Sequence, residues 1–107
     1  MHLFEENIKN LGLNIPELPK ALANYVPYKI VGKTMYISGQ APVRNGELIY
    51  KGKVGSDVTV EDGIEAARLC VTNIIAAVKT GLEGDWGKLD SFIKLTGFVN
   101  CQDDFTD

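Results

Sequence analysis

Residues 35–43, Met-Tyr-Ile-Ser-Gly-Gln-Ala-Pro-Val, decide the fold of this chain. An apolar strand runs here into the small-residue corner Ser38-Gly39-Gln40, and Pro42 then stops it because proline cannot donate to a sheet ladder. Such a corner exposes a hydroxyl and a backbone N–H at a strand end, where a small ligand could be held. An ordinary strand-ending turn uses the same residue types, so a binding corner and a simple turn are both open interpretations.

The residues before this corner predict a β-hairpin. Strands are expected at residues 28–31 and 34–38, and Gly32 between them suits the first central position of a type II′ turn. Tyr36 lies on one face of the second strand, where a partner subunit could cover it. The opposite face, which we expect to pack under a helix, carries Met35 and Ile37.

The clearest predicted element is a helix from residue 60 to about residue 80. Thr59 is suited to cap its N-terminus, and Gly81 lies where a helix commonly ends. Cys70 sits beside the apolar face, which predicts a buried structural thiol. The predicted apolar face consists of Ile64, Ala67, Val71, Ile74, Ile75 and Val78.

A last strand is predicted at residues 89–100, with a shorter helix near the N-terminus at residues 5–11. This order of elements indicates an α+β layer sandwich. The sheet has too few strands for one helical layer to close a core, so either more chain follows in the natural protein or oligomerisation covers the open face. Apolar side chains on both faces, typical of a central strand, are Phe92, Ile93, Leu95, Phe98 and Val99.

The composition argues against several classes of function. Nucleic-acid binding needs an excess of Lys and Arg on one face, whereas the net charge here is −3. No apolar run approaches the ~20 residues of a membrane span, and the acidic N-terminus does not resemble a signal peptide. Two cysteines fit a reducing compartment, so we expect a cytoplasmic protein. With His2 as the only histidine, no His-based metal site is expected.

Three blocks of the sequence together resemble the RidA family, also called YjgF/UK114 or L-PSP endoribonuclease-like. The first block covers residues 25–43, and the second is the long helix with Asn73. The third is the run at residues 93–100 followed by Asp104-Phe105. The combination is similar to a less characterised branch of the family.

The resemblance implies a chorismate mutase-like α+β fold, a β-sheet with helices packed on one face, assembled as a homotrimer. It divides the chain into an N-terminal helix and extended connector at residues 1–24 and a RidA-like domain at residues 25–107.

The resemblance also implies an activity. Characterised members hydrolyse reactive enamines and imines of the 2-aminoacrylate and 2-iminopropionate type to 2-keto acids and ammonia, without a metal or organic cofactor. Ligands lie in clefts between subunits. By position, Tyr25 covers the ligand from a neighbouring subunit, and Ser38 and Gly39 hold it, so Tyr25 and Ser38 are the expected catalytic residues. The alternatives are a non-catalytic trimer that binds small carboxylates or keto acids, and an inactive truncated family member.

One part of the family pattern has no counterpart in this sequence. The family's carboxylate-binding arginine, a neighbouring cysteine and a water-orienting glutamate follow the Asp-Phe motif, and the sequence ends at that motif. Arg44, Arg68 and Cys101 do not occupy these places. The resemblance therefore implies a partial site and a fold that is incomplete at the C-terminus.

Overall fold

The computed structural model describes residues 3–17 and 26–106. In chain order the helices are α1, Leu3–Asn10, and α2, Val60–Gly81, followed by a short 3-10 helix at Trp86–Lys88. The strands are β1, Tyr28–Val31; β2, Thr34–Ile37; β3, Val43–Arg44; and β4, Glu47–Leu48. β1 pairs antiparallel with β2 and β3 with β4, so these strands form two separate hairpins.

Both hairpins turn as their sequences require. Gly32, at the first central position of the β1–β2 turn, has a φ of +60°, as the predicted type II′ turn demands. In the β3–β4 turn Asn45 and Gly46 have φ values of +53° and +79°, the pair of positive angles that defines a type I′ turn. These turns fix the register of each hairpin. The register of the first hairpin also sets the direction in which the chain leaves β2 after Ile37.

Helix α2 has the predicted limits. The Thr59 side chain accepts a hydrogen bond from the Asp62 N–H at 3.1 Å, which satisfies one of the free donors of the first turn. The predicted apolar face is only partly right, since Ile64 is 52% exposed and Ala67 is also exposed. The hairpins pack against the second half of the helix, so burial is concentrated there. The buried residues of α2 are Leu69, Thr72, Asn73, Ile75, Ala76, Ala77 and Val78.

The core lies between α2, the β1–β2 hairpin and the N-terminal helix. As expected, Met35 and Ile37 of β2 pack towards the helix, whereas Tyr36 on the opposite face is 63% exposed. Trp86 is buried, and the Phe4 ring of α1 lies 4.8 Å from its ring, centroid to centroid. Helix α1 therefore closes one side of the core. The buried cluster consists of Ile75, Val78, Leu82 and Trp86.

The predicted central strand at residues 89–100 is wrong for the described part of the chain. No strand is formed there, and the backbone is bonded at its two ends. The Leu89 N–H donates to the Trp86 carbonyl at 3.1 Å, and the Val54 N–H donates to the Asn100 carbonyl at 2.9 Å. A strand exists only when neighbours complete its ladder, and no described residue forms a backbone hydrogen bond with residues 90–99. The Phe4 ring of α1 lies 5.4 Å from the Phe92 ring, centroid to centroid, but this is a contact between side chains. The apolar side chains of the segment are consequently exposed, up to 95% for Phe98.

Within residues 3–17 and 26–106, neither helix combines the length and apolar character needed to cross a bilayer.

We expect the Gly52→Ala substitution to lower the free energy of unfolding by about 2–4 kcal/mol. Gly52 has a φ of +113°, and a Cβ at this position would lie 2.6 Å from the Cβ of Asp57, so backbone and loop would both be strained. Gly12→Ala is the control, because Gly12 also has a positive φ, +69°, but a Cβ there would meet nothing within 4 Å. Urea denaturation compares the two variants, and equal losses would contradict the close contact at Gly52.

Candidate functional site

The corner after β2 is tied to the chain that precedes β1. The Ser38 N–H donates to the Pro27 carbonyl at 3.0 Å, which extends the pairing of the hairpin by one step. The Ser38 hydroxyl donates to the Val26 carbonyl. Val26 directly follows Tyr25 in the sequence, so Ser38 fixes the residues that come immediately after the predicted lid tyrosine.

The hydrogen bond to Val26 determines what the Ser38 hydroxyl can offer a ligand. A carbonyl oxygen only accepts, so the single hydroxyl hydrogen of Ser38 is already used. The lone pairs of the Ser38 oxygen are still able to accept. Towards a ligand, Ser38 is therefore an acceptor that matches an N–H or O–H group.

Gly39 adds a donor next to this acceptor. A Cβ at Gly39 would meet nothing within 4 Å, so the space beside its backbone is open. Among the described residues, none accepts a hydrogen bond from the Gly39 N–H. The Gln40 side chain donates to the Ser38 carbonyl at 3.3 Å and holds the peptide that joins Ser38 to Gly39. The corner thus presents an acceptor and a backbone donor on adjacent residues.

Helix α2 reaches the far side of the corner through Asn73. Its side-chain nitrogen donates to the Ala41 carbonyl at 3.1 Å and to the Val43 carbonyl at 2.9 Å. Asn73 is 1% exposed, and no donor in the described part of the chain reaches its side-chain oxygen. In the sequence, Asn73 is noted only as part of the resemblance to the family. The residues around it do not indicate which carbonyls its side chain will bond.

Of the three predicted site residues, the structure places Ser38 and Gly39 together at this corner, while Tyr25 lies outside the described residues. Their roles in binding or catalysis stay predictions. Arg68 is paired with Glu65 on the exposed side of α2, at 3.8 Å between side-chain nitrogen and oxygen. Within residues 3–17 and 26–106, no three His, Cys, Asp or Glu side chains are grouped so that they could hold a metal ion.

A recess in the described surface is separate from the corner. It has a volume of about 490 Å³ and lies between residues 15–17 and the second half of α2. Its polar lining consists of the acidic Glu17 and Glu83, the basic Lys79 and the uncharged Thr80. None of the corner residues lines it. We place the candidate site at the corner, because it carries an oriented acceptor beside a backbone donor that no described residue engages.

A model of the family described as "YjgF/chorismate mutase-like, putative endoribonuclease" matches residues 5–106 of the sequence. The chain belongs to this family. Its α+β architecture, with α2 packed on one face of a hairpin, is the chorismate mutase-like fold that the resemblance implied.

Two solved structures support the same assignment. A protein of unknown function from Agrobacterium tumefaciens, Atu1372, is 43% identical, with a TM-score of 0.83 over 95% of this chain and 62% of its own. A structure described as a "putative endoribonuclease" from Shewanella oneidensis is also 43% identical, with a TM-score of 0.68 over 74% of this chain and 52% of its own.

A curated relative, Protein TCP17 of Trypanosoma cruzi, is 32% identical over 101 residues, which are 94% of this chain and 62% of that protein. The chain therefore spans about three fifths of the length of the curated relative it matches.

Replacing Ser38 with Ala should lower the free energy of unfolding by about 1 kcal/mol, because the hydrogen bond to the Val26 carbonyl is lost. Ser56→Ala is the matched control: Ser56 is an exposed loop serine whose side chain makes no hydrogen bond with the described residues. Chemical denaturation measures both variants. If they are equally stable, the Ser38 hydroxyl does not tether the chain at Val26.

Burial raises the pKa of the Cys70 thiol above its ordinary value, since the half-buried site disfavours the thiolate. Only the thiolate is alkylated, so its reaction should begin at higher pH than that of a short cysteine peptide. The test uses a Cys101→Ser variant, in which Cys70 is the remaining thiol, and follows iodoacetamide alkylation against pH. Coincident pH profiles for the protein and the peptide would contradict the effect of burial.

Proposed function

We propose that this protein hydrolyses reactive imines and enamines, of the 2-iminopropionate and 2-aminoacrylate type, to 2-keto acids and ammonia. The observation that carries the proposal is the pairing at the corner of an acceptor-only hydroxyl, Ser38, with the backbone donor Gly39. Membership of the YjgF family supports a small-molecule site of this kind.

A 2-imino acid matches this pair of groups. Its imine N–H donates to the Ser38 oxygen, and one oxygen of its carboxylate accepts from the Gly39 N–H. Water adds to the imine carbon, the C–N bond breaks, and ammonia leaves with the 2-keto acid as the second product. The reaction needs no electron transfer, so positioning of the water and stabilisation of charge supply most of the rate.

The same pair of groups distinguishes substrate from product. A 2-keto acid has an acceptor where the imine has an N–H, so it cannot donate to the Ser38 oxygen. One hydrogen bond is then lost when the imine is converted, which favours product release. A site built only to bind keto acids would instead need a donor at this position.

The remaining parts of the site are proposals drawn from the family pattern. Tyr25 covers the ligand from a neighbouring subunit of a cytoplasmic homotrimer. None of the arginines present in the chain is assigned as the carboxylate partner, and Arg44 and Arg68 are both exposed. The Ser38-Gly39 corner is therefore proposed as the imine-binding part of a larger site.

The word "endoribonuclease" in the family description finds little support in this chain. RNA binding draws most of its affinity from cationic side chains, and the chain has 14 acidic residues against 11 Lys and Arg. Its one histidine, His2, lies outside the described residues.

Ammonia release from freshly generated 2-iminopropionate should be faster with the protein than in buffer. The double variant Tyr25→Phe with Ser38→Ala should lose this acceleration, and Ser38→Ala alone should reduce it by about tenfold, the value of one lost hydrogen bond. Ser56→Ala should keep the full rate. Saturable binding of a 2-keto acid without ammonia release would instead favour a binding protein. The absence of both ammonia release and ligand binding would contradict a competent site.

A further inference from the structure

We propose that Asn73 is a positioning residue for the Ser38-Gly39 corner. The two hydrogens of its side-chain amide donate to two backbone carbonyls on either side of Pro42, those of Ala41 and Val43. A residue in the middle of a helix thereby fixes a stretch of backbone that lies 30 to 32 positions earlier in the sequence.

The stretch that Asn73 holds has little backbone bonding of its own. Pro42 has no N–H, and the hydrogen bond within the stretch runs from the Val43 N–H to the Ala41 carbonyl at 2.8 Å. The Ile49 N–H donates to the Pro42 carbonyl at 2.9 Å, which ties the stretch to the chain after β4. The amide of Asn73 adds two bonds from α2, and so sets the position of the stretch relative to the core.

Together with Ser38, this arrangement holds the corner at both ends. On the N-terminal side, Ser38 is bonded to the carbonyls of Val26 and Pro27. On the C-terminal side, Asn73 is bonded to Ala41 and Val43. Only Gly39 and Gln40 lie between the two attachments, so the direction of the Gly39 N–H relative to the Ser38 oxygen depends on both.

The Asn73 amide satisfies two carbonyls, but it also has a cost for stability. Asn73 is 1% exposed, and its side-chain oxygen has no donor among the described residues. Burying a half-satisfied amide is less favourable than burying an apolar side chain of similar size. What the amide provides is the placement of two specific carbonyls, which an apolar residue cannot supply. A local cost of this kind is expected at functional sites.

The test compares Asn73→Leu with Thr72→Val. Thr72 is the neighbouring buried polar residue of α2, and its hydroxyl bonds the Leu69 carbonyl within the same helix, at 2.8 Å, rather than the corner. In Asn73→Leu, NMR-monitored hydrogen exchange of the Val43 and Ile49 amides should accelerate by about tenfold or more relative to the Leu82 amide at the end of α2. In Thr72→Val the three amides should keep their wild-type ratios.

The second readout is kinetic and rests on the proposed function. In the 2-iminopropionate assay, Asn73→Leu should lower kcat/KM by about tenfold or more, whereas Thr72→Val should leave it unchanged. Two results for Asn73→Leu would overturn the positioning role. One is faster hydrogen exchange at Val43 and Ile49 with an unchanged kcat/KM, and the other is exchange that accelerates equally at Leu82. If the wild-type protein releases no ammonia, the proposed function fails, and the exchange ratios still decide whether Asn73 holds the corner. If Asn73→Leu does not fold, the smaller Asn73→Ser replaces it in both measurements.

Discussion

The close approach of α2 to the β1–β2 hairpin is the constraint on which the rest of the structure depends. Gly81 lies at this contact, where a Cβ would lie 2.5 Å from the Met35 terminal methyl carbon and 3.3 Å from a ring carbon of Tyr28, so the Met35 side chain would have to shift. At this distance Met35 and Ile37 can pack against the buried cluster that contains Val78. The hydrophobic contact between one helix face and one strand face therefore fixes where β2 ends relative to α2.

The candidate site follows from that placement. Once the helix lies on the hairpin, Asn73 faces the backbone just beyond the corner, and its amide bonds the carbonyls of Ala41 and Val43. The other side of the corner is fixed by Ser38, whose hydroxyl is bonded to Val26. The corner is thus irregular backbone that is held by packing and by the hydrogen bonds of Ser38 and Asn73, an arrangement that allows a loop to present groups in a defined geometry.

The segment at residues 89–100 shows that an apolar pattern alone does not determine whether a strand forms. Its apolar residues predict a strand covered on both faces, yet among the described residues it pairs with nothing before Asn100, and Ile93 and Phe98 are largely exposed. The pattern reports what the segment needs, which is apolar cover on two sides. Whether the cover is present depends on other parts of the chain. Phe4 of α1 contacts Phe92, but Ile93 and Phe98 stay exposed among the described residues. The first turns of α2 show the same effect. Ile64 belongs to the predicted apolar face of the helix, yet it is exposed because neither hairpin packs against it.

The sequence by itself determined the turns of the hairpins, the limits of α2 and the family. Turn residues such as Gly32 and Asn45-Gly46 require particular backbone angles, and Thr59 and Gly81 mark the limits of α2, so each could be predicted from chemistry within a few residues. Only the tertiary structure decided that Asn73 bonds the corner and that the Ser38 hydroxyl is already committed to Val26. These bonds join residues far apart in the chain, and their partners are backbone carbonyls, which every residue has. Side-chain identity therefore cannot indicate them, and only packing of the helix on the hairpin brings them together.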